Sequence, residues 1–344
     1  MTRIHFFIFF VLCSFIGNSQ SKSQLDFHGS VDTYYRTNLN ADRTESPNTS
    51  FANLPGFSLG MVNLISSYSG EKVGFVADLV FGPRGEEAVF NSIGSANIVN
   101  QLYVYWNISE SLTLTAGNFN TFLGYEVISP AANFNYSTSY LFSYGPFSHS
   151  GVKLDYAISD DLSLMFAVLN PTDYTDFNIN GTTSFGAQIG YKSQYLNILF
   201  GDQDKDPATG SLFQIDYTGG INLSEKVFLG LNASYNTTAI EDGDDTGFYG
   251  AAAYLQFATG EKTAFGLRTE FFSEFGAFGA IDYDAISGKG DVFALTLSSN
   301  HKIAEGLKII PEIRYDITSE SSFSDDGTLK DNLGSILIAA VYSF

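Results

Sequence analysis

The chain is poor in the residues that build most soluble active sites. It has one Cys, one Trp and four His in 344 residues. The one cysteine, Cys13, sits in an N-terminal apolar stretch, so removal of that stretch leaves no thiol. Disulfides are then excluded, and zinc or thiol chemistry loses its usual ligands. Long apolar runs are also missing. Beyond the run at 4–16, no window approaches the ~20 residues a membrane-spanning helix needs. Basic residues are scarce, with 17 Lys and Arg against 37 Asp and Glu, for a formal net charge of −20. Phosphate binding needs a basic surface, so no nucleic-acid partner is expected.

In their place stand 32 Phe, 20 Tyr and 33 Gly, with little of the Leu-Ala-Glu-Lys material of helices. Arg3, the apolar run 4–16 and the small or polar residues 17–23 read as a secretory leader. Cleavage near Gln20 is expected, giving a signal peptide over 1–20 and a single domain over 21–344. Leu12, before Cys13, is not the small residue that a lipoprotein signal wants. At the other end, Ile336, Ile338, Ala340, Tyr342 and Phe344 recur with period two. They make a strand with one apolar face and an aromatic last residue, the usual finish of an outer-membrane β-barrel.

That alternation runs through the chain. Leu25, Phe27, Val31, Thr33 and Tyr35 oppose Asp26, His28, Asp32 and Arg36. Val73, Phe75, Ala77, Leu79 and Phe81 oppose Lys72, Gly74 and Asp78. The same pattern recurs in 151–158, 225–236 and 306–317. Short polar turns fall at 69–72, 109–111, 159–161, 192–194, 224–226, 259–262 and 302–306. Longer linkers fall at 39–55, 83–97, 123–147, 171–181, 204–210, 240–246, 276–288 and 319–331. Seven turns and eight loops predict about sixteen strands, with fourteen to eighteen compatible. The expected fold is all-β: a transmembrane antiparallel barrel with short periplasmic turns, long extracellular loops, an apolar face to lipid and a polar face to the lumen. Tyr105, Tyr156, Tyr191, Tyr217 and Tyr342 are candidates for its interfacial girdles. A secreted sandwich or adhesin domain is the runner-up.

One segment carries a family signal. It reads Gly117-Asn118-Phe119-Asn120-Thr121, then Gly124-Tyr125-Glu126, then Asn135-Tyr136-Ser137-Thr138-Ser139-Tyr140 and Pro146-Phe147-Ser148-His149-Ser150-Gly151-Val152, ending in Val168-Leu169-Asn170. This resembles the OmpL-like β-barrel porins of Bacteroidetes-type bacteria. The resemblance implies a Gram-negative outer-membrane porin and says little about which solute passes.

The residue pattern supports passive diffusion of small hydrophilic solutes through a water-filled lumen. Loop 123–147 is the third and longest loop and carries Tyr125, Phe134, Tyr136, Tyr140, Phe142, Tyr144 and Phe147. It reads either as an inward constriction or as an outer loop packed on the rim by its own aromatics. Candidate pore-lining or constriction residues are Arg36, Asp78, Tyr125, Glu126, Tyr136, Lys153, Asp155, Arg268, Glu270, Glu312, Arg314 and Asp316. Pairing of Arg268 with Glu270, and of Arg314 with Glu312 and Asp316, is expected along the wall. The acidic runs 202–206, 241–245 and 325–326 read as solvated loops, since Pro207 and Phe213 spoil a calcium loop.

Outer-membrane lipid, lipopolysaccharide and the barrel-assembly machinery, the last through the strand ending in Phe344, are the expected partners, and a homo-oligomer is compatible. No cofactor, metal or catalytic residue is expected. The sequence has no HExxH or phosphate loop. His149 and Ser150 are adjacent and so point to opposite faces of a strand, which leaves an outer-membrane lipase the weakest reading. The stronger alternative is a surface-exposed binding or structural barrel whose loops close the lumen.

Overall fold

The computed structural model describes residues 24–281 and 288–344. The expected leader and Cys13 lie outside them. The strands are β1 (Gln24–Asn38), β2 (Gly56–Ser69), β3 (Val73–Phe81), β4 (Val99–Asn107), β5 (Leu112–Asn120), β6 (Ser148–Ala157), β7 (Leu162–Leu169), β8 (Ser184–Tyr191) and β9 (Gln194–Gly201). They continue as β10 (Thr209–Asn222), β11 (Val227–Ile240), β12 (Thr246–Ala258), β13 (Thr263–Phe275), β14 (Lys289–Ala304) and β15 (Leu307–Thr318). A hairpin of β16 (Phe323–Asp325) and β17 (Thr328–Lys330) sits in the last long loop, and β18 (Asn332–Ser343) ends the sheet. Two short helices, α1 (Pro83–Ala88) and α2 (Tyr140–Tyr144), lie in loops.

Strands β1–β15 and β18 close into one barrel, in which β1 pairs antiparallel with both β2 and β18. Closure leaves no strand of the wall at a sheet edge, as a lipid environment demands. The seam is completed by the last residue. Phe344 and Gly29 exchange two backbone hydrogen bonds of 3.1 Å, and the Phe344 ring lies 6.2 Å from that of Phe27.

The period-two pattern divides the wall as expected. On β14, Phe293, Leu295 and Leu297 are exposed on the outer face while Val292, Ala294, Thr296 and Ser298 are buried inside. Tyr156, Tyr191 and Tyr342 are exposed outside, in keeping with a girdle. Tyr105 is a correction. It pairs with Gly74, and its ring occupies the space where a Gly74 Cβ would sit, on the luminal face. Its neighbour Trp106 takes the exposed outer position instead.

The wall is uneven in height. Strands β3–β9 have 8–10 residues, whereas β1, β2, β10–β15 and β18 have 12–16. The low side leaves room at the long-loop end, where the connection 121–147 turns inward rather than up.

Leu297, exposed near the middle of β14, tests the outer face. Arg in its place should cost about 2–4 kcal/mol, the price of a cation at mid-bilayer. Leu297→Arg should therefore unfold at lower urea from lipid vesicles, while Thr296→Ser on the opposite face should not; equal midpoints would count against a lipid-facing Leu297.

Candidate functional site

The segment 121–147 is rich in Asn, Ser, Thr and aromatics and forms no strand. Ser139 caps α2, its hydroxyl accepting the Phe142 amide at 3.0 Å. The amides of Gly124, Tyr136, Ser137, Tyr140 and Leu141 instead look outside the segment, and a buried N–H without a partner is costly. The luminal wall supplies the acceptors.

Glu312 on β15 accepts the amides of Tyr136 and Ser137 at 2.9 and 3.3 Å. Glu270 on β13 accepts those of Tyr140 and Leu141 at 2.9 and 2.8 Å. Asp216 on β10 accepts Gly124 at 2.9 Å. The Tyr136 hydroxyl donates to Asp32 on β1 at 2.5 Å. Two arginines act in the opposite sense on the carbonyls. Arg268 donates to Ser137 O and Thr138 O at 2.7 and 3.2 Å, and Arg314 donates to Thr138 O at 2.8 Å. Lys308 and Asn300 reach Ala131 O and Phe134 O. In the ring of strands β10 lies nearly opposite β1. The loop therefore bridges the lumen from wall to wall.

Glycines in the wall make room for it. A Cβ at Gly266 would lie 2.2 Å from the Phe134 ring, and one at Gly230 would lie 2.2 Å from the Tyr125 hydroxyl. Tyr125 then stacks on Tyr254 with ring centroids 4.2 Å apart. A cavity of about 10 Å³ lies between the 39–55 and 121–147 loops and the β15–β18 wall, lined by Arg36, Asn53, Ser137, Glu312 and Arg314 among others. That is room for a single water.

The charge pairs differ in part from the expected set. Arg268 does not take its i+2 neighbour Glu270. It pairs at 2.6 Å with Glu126 of the loop, both groups buried. Glu270 is committed to the two loop amides. Arg314 does pair with Asp316, at 2.8 Å, while Glu312 serves the loop. Arg36 donates to Glu45 O, Asn53 O and Asn38 Oδ1. Asp78 is held by the amides of Asn63, Asn100 and Gln101. Lys153 and Asp155 pair at 2.7 Å and remain partly exposed, on the short-turn side of the loop. Eight carboxylates and four arginines are buried among the described residues, which leaves the interior acidic.

Sequence reasoning passed over Asp216, although its position between Gln214 and Thr218 on one face of a strand carries the luminal signal. It also passed over Arg84 of α1, which donates to Ile128 O and Tyr136 O at 2.8 and 3.3 Å. Only the Gly82-Pro83 helix start marks that place, and nothing local links it to residues 44 and 52 positions on.

Residues 24–344 match the family of beta-barrel porin-2, OmpL-like. The chain belongs to this porin family. It is an integral protein of the outer membrane, crossing the bilayer with strands, and it acts as a passive-diffusion porin. The outer-membrane channel DcaP of Acinetobacter baumannii superposes with a TM-score of 0.63 at 12% identity, covering 95% of this chain and 99% of that one. An anion-selective porin from Comamonas acidovorans gives 0.62 at 11% identity, with 94% and 100% covered. OmpT of Vibrio cholerae in its trimer form gives 0.59 at 12%, with 94% and 100% covered. These likenesses are of fold. None of the curated proteins compared with the chain matches it.

Two outcomes test the anchoring of this porin loop. Arg268→Ala leaves Glu126 buried without its partner and should cost about 3–5 kcal/mol; it should also open 121–147 to protease added to lipid-embedded protein. An unchanged urea midpoint and an intact loop would contradict the role of Arg268. Asp173, in the 170–183 loop, accepts the amides of Phe147 and Ser148 at 2.7 and 2.9 Å, where the segment re-enters β6. Burial outweighs those bonds and pushes its carboxyl from 3.8 up to about 6. The folded protein thus holds this proton more tightly than the unfolded chain does. The resulting stabilisation is full below pH 3.8 and is lost as the pH rises through 6. The melting temperature of wild type should therefore fall relative to Asp173→Asn between pH 4 and 7; a constant difference would refute the assignment.

Proposed function

We propose that small hydrophilic solutes cross this porin around loop 121–147, and that the loop sets the constriction. The observation behind this reading is the wall-to-wall bridge from Asp216 to Asp32 through Gly124 and Tyr136. Of the residues chosen from sequence, Tyr125, Glu126, Tyr136, Arg268, Glu270, Glu312, Arg314 and Asp316 form the layer around the loop. Asp78, Lys153 and Asp155 border the lumen on the lower wall, and Arg36 stands beside the β15–β18 contact. Export through a leader at 1–20, insertion guided by the strand ending in Phe344, and contact of the outer loops with lipopolysaccharide belong to the same proposal. So does a homo-oligomer.

A second reading has its own support. The small gap beside Arg314 and the burial of luminal groups such as Asp32, Asn63, Thr296 and Arg268 favour a lumen closed by its loop. Such a barrel would bind at the surface or conduct only when the loop shifts.

Ion preference follows from the buried charge. With twice as many carboxylates as arginines inside, cations have the lower energy in the lumen. Salt weakens this, since the Debye length is about 8 Å at physiological ionic strength. The Comamonas protein is anion-selective, and this chain should show the opposite sign.

In a planar bilayer the purified protein should conduct with a modest cation preference that declines as salt rises. Arg268→Ala should raise unit conductance by roughly twofold or more as the loop loosens. Anion selectivity at low salt would contradict the acidic lumen. Silence in wild type, with conductance appearing in Arg268→Ala, would favour the closed barrel.

A further inference from the structure

Where β2 outruns β3 the wall has a notch. Pairing between the two stops at Val62 and Phe81, so 56–61 of β2 has no β3 partner. Gly82, at φ +94°, turns the chain toward the lumen there, a backbone conformation that suits glycine. A Cβ on it would lie 2.8 Å from Gly60 O, and the chain runs on into α1. A cavity of about 650 Å³ lies in the notch, bordered by Leu54, Leu59, Pro83, Glu86, Phe90 and Tyr136 among others. Small-molecule sites commonly hold roughly 300–1,000 Å³.

The notch opens on the lipid face, near the long-loop end of β1. Leu59 stands opposite Thr33, in the outward row that holds Leu25, Phe27, Val31 and Tyr35. It is 68% exposed. Phe57, one step further out, is 91% exposed and packs on Tyr35 with ring centroids 4.9 Å apart. Leu54, Phe81, Phe90 and Ile93 continue the exposed apolar surface around the opening. On the inner side Tyr34 and Tyr136, with rings 5.5 Å apart, are buried and stand between the notch and the lumen. The notch is therefore a blind recess, continuous with the surface that already faces lipid. Water is a poor filling for such a lining, and an acyl chain a good one.

The polar part of the border selects the headgroup. Arg84 lies behind the recess, and its charge is faced by Asp32 and Glu87. Glu87 also accepts the Phe51 amide at 3.1 Å. Glu86 borders the cavity, is exposed, and forms no ion pair among the described residues. An exposed carboxylate beside an apolar recess suits a cation carried on an apolar chain, and it repels an anionic one. We propose that the recess holds one acyl chain of an outer-leaflet phospholipid whose ammonium headgroup rests on Glu86. The chain would lie against Tyr136, the residue that ties the loop to Asp32. Lipid binding does not need a conducting pore, and its failure leaves the porin reading untouched.

Native mass spectrometry of the full mature protein tests the proposal. The protein is stripped of lipid in detergent, then offered equal amounts of dioleoyl phosphatidylethanolamine and dioleoyl phosphatidylglycerol, which share their chains and differ in headgroup charge. One phosphatidylethanolamine should stay on each barrel, preferred at least about fivefold over phosphatidylglycerol, the worth of one charge at a membrane surface. Glu86 is exposed, so Glu86→Lys should fold as wild type does and should reverse the preference. Leu59→Asn should cut retention of both lipids several-fold without changing their ratio. No lipid retained on wild type would overturn the proposal. Equal retention of the two lipids, or a preference that survives in Glu86→Lys, would overturn the headgroup assignment. Unchanged retention in Leu59→Asn would overturn the site, and displacement by an equal amount of lipopolysaccharide would overturn the phospholipid in favour of lipopolysaccharide.

Discussion

Backbone amides carried into a barrel must find acceptors there, and the rest of the interior is arranged around that requirement. Glu312 and Glu270 each take two successive amides of the loop, and Asp216 takes a fifth. A carboxylate is the strongest acceptor the side chains offer, and leaving one such buried N–H unmet costs about 1–3 kcal/mol. The arginines are needed for the complementary reason. The loop also brings carbonyls and the acid Glu126, and Arg268 meets all of these at once. The charges on β13 and β15 are thus a template for one backbone path.

The same template limits what the lumen can do. The guanidinium of Arg268 is spent on Glu126 and the loop, and that of Arg314 on Asp316, Thr138 and Thr49. Asp78 and Asp216 are instead hydrogen-bonded by neutral side-chain amides, with no arginine paired to them. Polarity in this interior therefore comes from carboxylates solvated by asparagine rather than from opposed rings of charge. Arg84 extends the network sideways, tying α1 at the low rim to Ile128 and Tyr136.

The wall was legible because lipid and lumen impose opposite chemistry on alternate residues. Phe293, Leu295 and Leu297 against Ala294, Thr296 and Ser298 states the two faces without ambiguity. Strand β4 is less clear, since Tyr103 and Tyr105 look in while Trp106 looks out; an amphipathic ring suits either face, and Tyr105 was misread for that reason. The inward parity of Arg268, Glu270, Glu312, Arg314 and Asp316 could be read, but their partners could not. Glu126 is 142 residues from Arg268, and the partners of Glu270 and Glu312 are main-chain groups, which leave no mark in the sequence. Local reasoning favoured i, i+2 pairing, and the loop outcompeted it. Arg314 kept its neighbour Asp316 because the loop offers Arg314 only carbonyls.

Hydrogen exchange of the lipid-embedded protein tests the central claim most directly. If carboxylates hold the loop across the lumen, the amides of Tyr136, Ser137, Tyr140 and Leu141 should exchange as slowly as those of the neighbouring strands, far more slowly than those of the exposed turn at 241–245. Exchange of these four amides at the rate of that turn would contradict the account.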